Sequence, residues 1–321
     1  MKSIGVLCGG PSAEREISLR SGQAVYEALA SQDLPVILVK LPENPERISD
    51  AVRKANLSHA FIALHGAFGE DGTVQALLEE LKIPYTGSSA EASHYAMDKV
   101  FSRRRWMAAK LPVPRWVEAE PINVTSRIRN LRFPLMVKPI LQGSSLGMSL
   151  VDRPEDLPAA VREATRFGER ILLEEHLPGP EVTVGILEDK PLPVIQIVPK
   201  RRFYDYTAKY TPGETDYLVP APVPADTTRF LQEMALQAHE ILGCRSFSRV
   251  DMILVPERGP VLLELNTIPG MTATSLLPKA ALCAGIGFPE LCRRMLASAF
   301  EREEECLSDV TRSSASASSP A

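Results

Sequence analysis

Basic charge is not in excess in this chain. Its 36 lysines and arginines face 40 aspartates and glutamates, for a formal net charge of −4. No broad cationic field is available to gather nucleic acid or an anionic membrane, so neither is expected as a partner. A local basic pocket for a nucleotide stays open. Long hydrophobic runs are missing as well: no apolar stretch approaches the roughly 20 residues of a membrane helix. The opening M-K-S-I-G-V-L-C-G-G is strand-like, too short and too glycine-rich for a secretory signal. Cysteine is scarce. Cys8, Cys244, Cys283, Cys292 and Cys306 are odd in number and lack tight spacing, which fits neither a disulfide framework nor a zinc site. A cytoplasmic protein is expected. The G-x-G-x-x-G fingerprint is absent, which argues against a nicotinamide-dependent dehydrogenase, and no internal repeat is visible.

What is present is ordinary in bulk and specific in detail. The 321 residues suffice for two or three domains, and 45% hydrophobic with 24% charged residues is typical of a soluble globular protein. Up to about residue 87, strand-like runs (Ile4–Cys8, Val36–Lys40, Ala60–Leu64, Pro84–Thr86) alternate with helical patterns (Glu16–Ala30, Glu46–Ala55, Thr73–Leu81). Such alternation predicts a parallel sheet covered by helices, with ligands beyond the carboxyl ends of its strands. Two polar clusters fall there, residues 9–16 and 65–72. Glu14 suits a cation such as a substrate ammonium, though Glu14 and Glu16 equally favour a helix N-terminus. His65, taken alone, is more simply a structural histidine.

Residues 88–110 read as one helix and 111–114, Leu-Pro-Val-Pro, as a linker. A second α/β segment follows, with strands at Arg115–Glu118, Leu135–Pro139, Met148–Val151 and Ile171–Glu175 and a helix at Pro154–Phe167. Between two of these strands, Gln142-Gly143-Ser144-Ser145-Leu146-Gly147 forms a flap whose N–H groups can face anionic oxygens. Lys138 sits in an apolar strand, where an unpaired lysine is seldom buried, so a phosphate partner is plausible. After His176–Pro180, strands are predicted at Val182–Leu187 and Leu192–Val198. Residues 201–217 are irregular and tyrosine-rich, as expected of a functional loop or lid. Helices are expected at Ala225–Leu242, Leu276–Ala284 and Phe288–Arg302, and residues 313–321 are low in complexity and expected to be disordered.

The richest stretch runs from Arg249 to Ser275. Two apolar runs flank Pro256–Pro260, which predicts an antiparallel hairpin. Alternation puts Val250, Met252, Leu254, Leu263 and Leu265 on one face and Arg249, Asp251, Glu264 and Asn266 on the other. The simplest register sets Asp251 opposite Glu264 and Arg249 opposite Asn266. Facing carboxylates need compensation. A hard divalent cation would supply it; so would Arg249 beside a merely acidic face. The hairpin alone leaves the two readings level.

Taken together, the motifs resemble the ATP-grasp superfamily and, within it, the D-alanine–D-alanine ligases. The resemblance spans Gly9 to about residue 296 through residues 9–18 (GGPSAEREIS), 65–75 (HGAFGEDGTVQ), 97–99 (MDK), 137–148 (VKPILQGSSLGM), 179–184 (GPEVTV), 206–210 (YTAKY), 249–251 (RVD) and 264–276 (ELNTIPGMTATSL). Each is weak alone; in order and suitably spaced they are strong. The resemblance implies an α/β fold, α+β in its ATP-grasp part, in three sub-domains: 1–92, 93–178 and 179–306 with a lid at 201–217, followed by a tail at 307–321. It implies ligation of two D-alanines with hydrolysis of ATP through an acyl phosphate, for peptidoglycan precursors. It also implies Asp251, Glu264 and Asn266 as ligands of two Mg²⁺ (or Mn²⁺). ATP would meet Lys99, Lys138 and Ser145 at its phosphates, Glu174, Glu175 and Leu177 around adenine, and Glu181 at the ribose. Glu14 would take the first D-alanine's ammonium, with His65 near its carboxylate. Arg249 and the Gly270 N–H would face the oxyanion, and Ser275 and the Leu276 N–H the second carboxylate. Ser144 and Tyr210 would bond Glu14 and lock the lid, with Lys209 beside them. A homodimer is implied too.

Glu175 departs from the frequent lysine and His176 from an aromatic, which bears on nucleotide affinity or base preference. Ile268 and Thr274 stand where Ser and His can occur. A D-lactate acceptor is disfavoured by Lys209-Tyr210; a D-serine acceptor and another ATP-grasp carboxylate–amine ligase are the remaining enzyme alternatives. A catalytically dead nucleotide-binding protein on this fold would be expected to lack a metal ligand or a lid contact.

Overall fold

A run such as Ile4-Gly5-Val6-Leu7-Cys8 is buried on both faces only in the middle of a covered sheet. A computed structural model, describing residues 3–272 and 274–301, places it there. Strand β1 (Ser3–Gly9) lies between β2 (Val36–Leu41) and β3 (Leu57–Ile62), parallel to both. The crossovers are α1 (Arg15–Ala30) and α2 (Ile48–Ala55), and α3 (Thr73–Glu80) follows the third strand. Gly22 lets α1 settle on β1, because a Cβ there would fall on Cys8. The strand predicted at 84–86 is only a single parallel bridge between Ala60 and Tyr85.

The helix predicted over 88–110 is two helices, α4 (Ala90–Met97) and α5 (Lys99–Ala108). Asp98 breaks it. Its backbone is extended and its carboxylate accepts the Val100 and Phe101 N–H groups at 2.9 and 2.8 Å. An aspartate competes with helix continuation by offering the backbone such an N-cap. Lys99 thereby becomes the first residue of α5.

The second sheet is antiparallel, ordered β4-β7-β5-β6, from β4 (Trp116–Ala119), β5 (Leu135–Pro139), β6 (Ser149–Val151) and β7 (Ile171–Glu175). The helices α6 (Val124–Arg127) and α7 (Leu157–Ala164) cover one face, with Leu157, Val161 and Ala164 packing on Val137 and Leu173. Tight 3₁₀ turns flank α7, so the predicted 154–167 helix is α-helical only at its centre.

The third sheet comprises β8 (Glu181–Leu187), β9 (Lys190–Pro191), β10 (Ile195–Pro199), β11 (Thr215–Leu218), β12 (Phe247–Val255) and β13 (Gly259–Asn266). Its order is β11-β10-β8-β12-β13, with β9 beside β8. Three helices belong to this part: α8 (Tyr206–Tyr210), α9 (Ala225–Ile241) and α10 (Leu276–Cys283). A last helical stretch covers 288–301, the limit of the described residues; the tail expected at 307–321 lies outside them. The segment predicted to be irregular, 201–217, contains α8 and most of β11. Asp205 caps α8 by accepting the Ala208 N–H at 2.8 Å, and β11 pairs with β10.

Two large cores hold the third sheet. Leu231, Met234 and Ala238 of α9 pack on Val182, Val184, Val250 and Met252. On the other side Leu187, Phe247, Leu277 and Leu291 share a core with Ile4 of β1 and with Val25 and Leu29 of α1, the helix packed on the first sheet. The second sheet keeps its own core. The parallel first sheet and the two antiparallel sheets give the α/β, part α+β, architecture expected. Among the described residues no helix is long and apolar enough to cross a membrane.

The hairpin β12–β13 has the expected register at its open end, Asp251 opposite Glu264 and Arg249 opposite Asn266. A bulge follows: Met252 pairs with Leu262, leaving Leu263 unpaired. An extra residue in one strand reverses which side chains face the core beyond it. Leu262, not Leu263, therefore joins Val250, Met252 and Leu265 in the core, and Leu263 turns outward toward Leu177.

Candidate functional site

A cleft of about 780 Å³ separates the second and third sheets. Lys138 of β5 lies on its wall, its Nζ 2.6 Å from Glu174 Oε1 of β7. The other oxygen of Glu174 meets Arg103 of α5, which is wholly buried. Burial alone would raise the Glu174 pKa; the two cations outweigh it and hold the carboxyl below its usual range. Lys99 Nζ donates to the Gln142 carbonyl at 2.6 Å and stands 3.6 Å from Glu264 Oε2. Glu264 is also pulled down, to about 2, because Lys99, Lys209 and Lys138 overcome its burial. Glu181 goes the other way: burial, with Asp251 and Glu264 adding repulsion, pushes it up to about 7 against the opposing charges of Lys209 and Lys138. Leu177, Val255, Val261, Ile253 and Leu263 form an apolar wall at the far end. Glu175 lines the same end, but its carboxylate accepts from the Arg115 N–H at 2.9 Å and Arg258 Nη1 at 2.6 Å.

At the open end of the hairpin the facing carboxylates are compensated from several sides. Arg249 grips Asp251 with Nε and Nη2 at 2.9 and 2.7 Å. Thr183 Oγ1 donates to Asp251 Oδ1 at 2.6 Å and Asn266 Nδ2 to Oδ2 at 3.2 Å. Arg249 thus balances Asp251, while Glu264, lowered by the lysines, keeps an ionised carboxylate at the cleft. Asp251, Glu264 and Asn266 offer oxygen donors only, two of them carboxylates, which fits a hard divalent cation. Among the described residues no three His, Cys, Asp or Glu side chains are grouped so as to hold a metal ion by themselves; here the third donor is an amide.

The second pocket, about 1100 Å³, lies between the first and third sheets. Glu14 enters it from the turn before α1, where Gly9 and Gly10 both adopt positive φ and allow the chain to double back. Ser144 Oγ donates to Glu14 Oε1, Tyr210 OH lies 3.3 Å from the same oxygen, and the two hydroxyls are 2.7 Å apart. Oε2 of Glu14 is buried and, among the described residues, has no hydrogen-bond partner. Burial, then the nearby Glu70, raises the Glu14 pKa. Ser144 and Ser145 both sit at positive φ, 51° and 58°, uncommon for residues with a Cβ and a mark of a loop held under constraint. His65 is clamped, with Nε2 2.8 Å from Ser21 Oγ and Nδ1 3.5 Å from Glu70 Oε1. Gly270 packs against Ser275, the N-cap residue of α10, and Leu276 opens that helix; all three line the pocket.

One segment closes over both pockets. Tyr204 and Lys209 line each of them, with Lys209 Nζ 5.1 Å above the Tyr204 ring. Ser145 Oγ donates to the Tyr204 carbonyl at 3.1 Å, and Arg202 Nη2 bonds Asp152 Oδ1 at 2.6 Å, so flap and second sheet both hold the segment down.

All the residues singled out from sequence line these two pockets or contact residues that do. Several participants were not singled out. Thr183, Ser21 and Glu70 each lie inside or beside a recognisable motif, yet nothing in their type or spacing marks them. Arg103 lies four residues after Lys99 and so on the same helix face, but nothing in the sequence singles it out from Arg104 and Arg105.

Comparison with known proteins points to one family. A family model described as "D-ala D-ala ligase C-terminus" matches residues 106–297, and one described as "D-ala D-ala ligase N-terminus" matches 41–88. A curated D-alanine–D-alanine ligase of Syntrophotalea carbinolica is 46% identical over 94% of this chain and 97% of its own. One of Geotalea uraniireducens is 44% identical over 93% and 96%. The crystal structure of the Bacillus anthracis D-alanine–D-alanine ligase complexed with ATP superposes with a TM-score of 0.81 at 30% identity, covering 95% of this chain and 99% of that one.

Proposed function

The chain belongs to the D-alanine–D-alanine ligase family, and on that premise we propose that its cleft holds ATP and its second pocket two D-alanines, which it joins. It is an ATP-dependent carboxylate–amine ligase. The first D-alanine's carboxylate attacks the γ-phosphorus and ADP leaves. The second D-alanine's amine then attacks the acyl phosphate carbonyl, and phosphate departs from the tetrahedral intermediate.

Each pocket supplies what its step needs. Phosphoryl transfer calls chiefly for positioning and charge neutralisation. Lys138, aimed by Glu174, and Lys99, aimed by the Gln142 carbonyl, stand ready for phosphate oxygens. Glu181 at the cleft edge suits the ribose hydroxyls, and Leu177 with Leu263 the base. Asp251, Glu264 and Asn266 would hold two Mg²⁺ (or Mn²⁺), whose charge would neutralise the phosphates. On the other side the bare Oε2 of Glu14 suits an ammonium. Arg249, with one nitrogen left over from Asp251, and the Gly270 N–H suit the oxyanion. His65 lies toward the first carboxylate; Ser275 and the Leu276 N–H suit the second.

The observation that carries this reading is the shared lid. Tyr204 and Lys209 line both pockets, and Tyr210 reaches Glu14 through Ser144. A water-sensitive acyl phosphate needs such a cover between its formation and its capture. Four free thiols among the described residues suit the reducing cytoplasm, and a homodimer rests on the family resemblance. The test is phosphate release and product mass with MgATP and D-alanine, alone and against D-serine or D-lactate. D-alanyl-D-alanine as the main product supports the reading; no D-alanine-dependent phosphate overturns it.

A further inference from the structure

The base end of the cleft is closed by a ring of contacts that joins three separate parts of the chain. Glu175 is the last residue of β7, in the second sheet. Arg258 lies in the turn between β12 and β13, in the third. The linker 111–114 and Arg115 just after it run between them. Arg258 Nη1 donates to Glu175 Oε1 at 2.6 Å and Nη2 to the Val113 carbonyl at 2.8 Å. Glu175 and Arg115 then pair twice: the Arg115 N–H reaches Glu175 Oε1 at 2.9 Å, and the Glu175 N–H reaches the Arg115 carbonyl at 3.0 Å. The Leu262 N–H adds a bond to the Pro112 carbonyl at 2.9 Å, fixing the linker along β13.

We propose that Glu175 and Arg258 are a positioning pair that locks the second sheet to the hairpin of the third, and so sets the affinity of the cleft for its nucleotide. The inference rests on reading that cleft as the ATP site. ATP must be gripped from both sheets at once, by Lys138 and the end of β7 on one side and by Glu264 and Leu263 on the other. Any freedom between the sheets is lost on binding and weakens it; a pre-set gap avoids that loss. Glu175 itself borders the cleft, but its carboxylate is committed to Arg258 and to the linker, which gives it a role in holding the wall in place. The planar guanidinium fork suits this position because it meets a carboxylate and a carbonyl together, which a lysine ammonium on a single stem does less well. An exposed ion pair by itself contributes little. This pair is partly covered, with side chains 23% and 37% exposed, and it closes a ring that includes backbone groups.

The test is calorimetric titration of Arg258→Ala, Glu175→Ala, the double variant and Arg258→Lys with a non-hydrolysable ATP analogue and magnesium. Steady-state KM for D-alanine and a thermal melt are measured alongside. Each single alanine variant is expected to bind nucleotide about five- to tenfold more weakly, with the double variant weakened by clearly less than the product of the two losses, because the singles share one contact and differ only in their separate bonds to the linker. Arg258→Lys should recover less than half of the loss, and KM for D-alanine should stay within about twofold of the parent, since the lid pocket is untouched. Singles within twofold of the parent, losses that multiply in the double variant, or an equal rise in the D-alanine KM would each overturn the proposal. Failure of the parent protein itself to bind the nucleotide would instead sink the reading of the cleft.

Discussion

At the open end of the β12–β13 hairpin, four side chains divide two tasks. Arg249 neutralises Asp251 and still faces the second pocket, while Glu264 is kept ionised by Lys99, Lys209 and Lys138. Replacing Glu264 by glutamine keeps the shape and removes the charge. We expect kcat to fall on the order of 10²- to 10³-fold, as for loss of one preorganised electrostatic group, with urea unfolding still cooperative; near-normal turnover would remove Glu264 from the phosphate chemistry. Glu181 makes a separate prediction. Its pKa rises from 4.5 to about 7, mainly through burial. The sign follows from linkage: the folded state binds this proton more tightly than the unfolded one, so the contribution to stability is complete below 4.5 and is lost as the pH rises through about 7. Urea midpoints of the ligand-free protein should therefore fall between pH 5 and pH 8 relative to Glu181→Gln. A flat difference would refute the shift.

Residue types and their order were legible, such as a carboxylate after a glycine pair, a lysine in an apolar strand and two carboxylates facing across a hairpin; each alone left a structural reading open, and the roles proposed for them follow from the family resemblance. What was not legible is partnership. Nothing in the sequence says that Glu174 sits between Lys138 and Arg103, or that His65 is held by Ser21 and Glu70, since those contacts join distant segments.

Among the elements, the lid is the one whose character changed most. Composition shows residues 201–217 as irregular, yet they include a capped helical turn and an edge strand, and they are tied to the flap and to the second sheet. Arg202 and Asp152 are the outermost tie, both well exposed, so their loss should leave stability nearly unchanged. The lid would then open more often while the acyl phosphate is present. In Arg202→Ala we expect phosphate released per dipeptide formed to rise at least about twofold above one, as water competes with the second D-alanine. A ratio that stays at one would show that this tie does not guard the intermediate. Two other elements were misread for local reasons. Asp98 interrupts a helix whose apolar pattern continues across it, and the bulge after Asp251 turns Leu263 outward where strict alternation puts it inside. Both departures serve the site, the first by placing Lys99 at a helix start and the second by supplying an apolar wall.

For the molecule as a whole, the division of cores matters most. The first and third sheets share one core, whereas the second sheet has its own and meets the third across the cleft. The pocket proposed for D-alanine is therefore built into a continuous core, and the cleft proposed for ATP lies between the second sheet, with its own core, and the third. The parallel first sheet was readable from the alternation of segments and the β12–β13 hairpin from its flanking apolar runs, but this sharing of cores was not, because it depends on the closing helices of residues 276–296 returning to β1. The proposed acyl phosphate route also requires that a carboxylate oxygen pass from amino acid to phosphate. The most direct measurement is ligation of D-alanine labelled with ¹⁸O in its carboxylate, using unlabelled ATP and water. One labelled oxygen should appear in each phosphate released, matched one for one with D-alanyl-D-alanine. Phosphate free of label, or label wholly retained in the dipeptide, would contradict the acyl phosphate route on which the account rests.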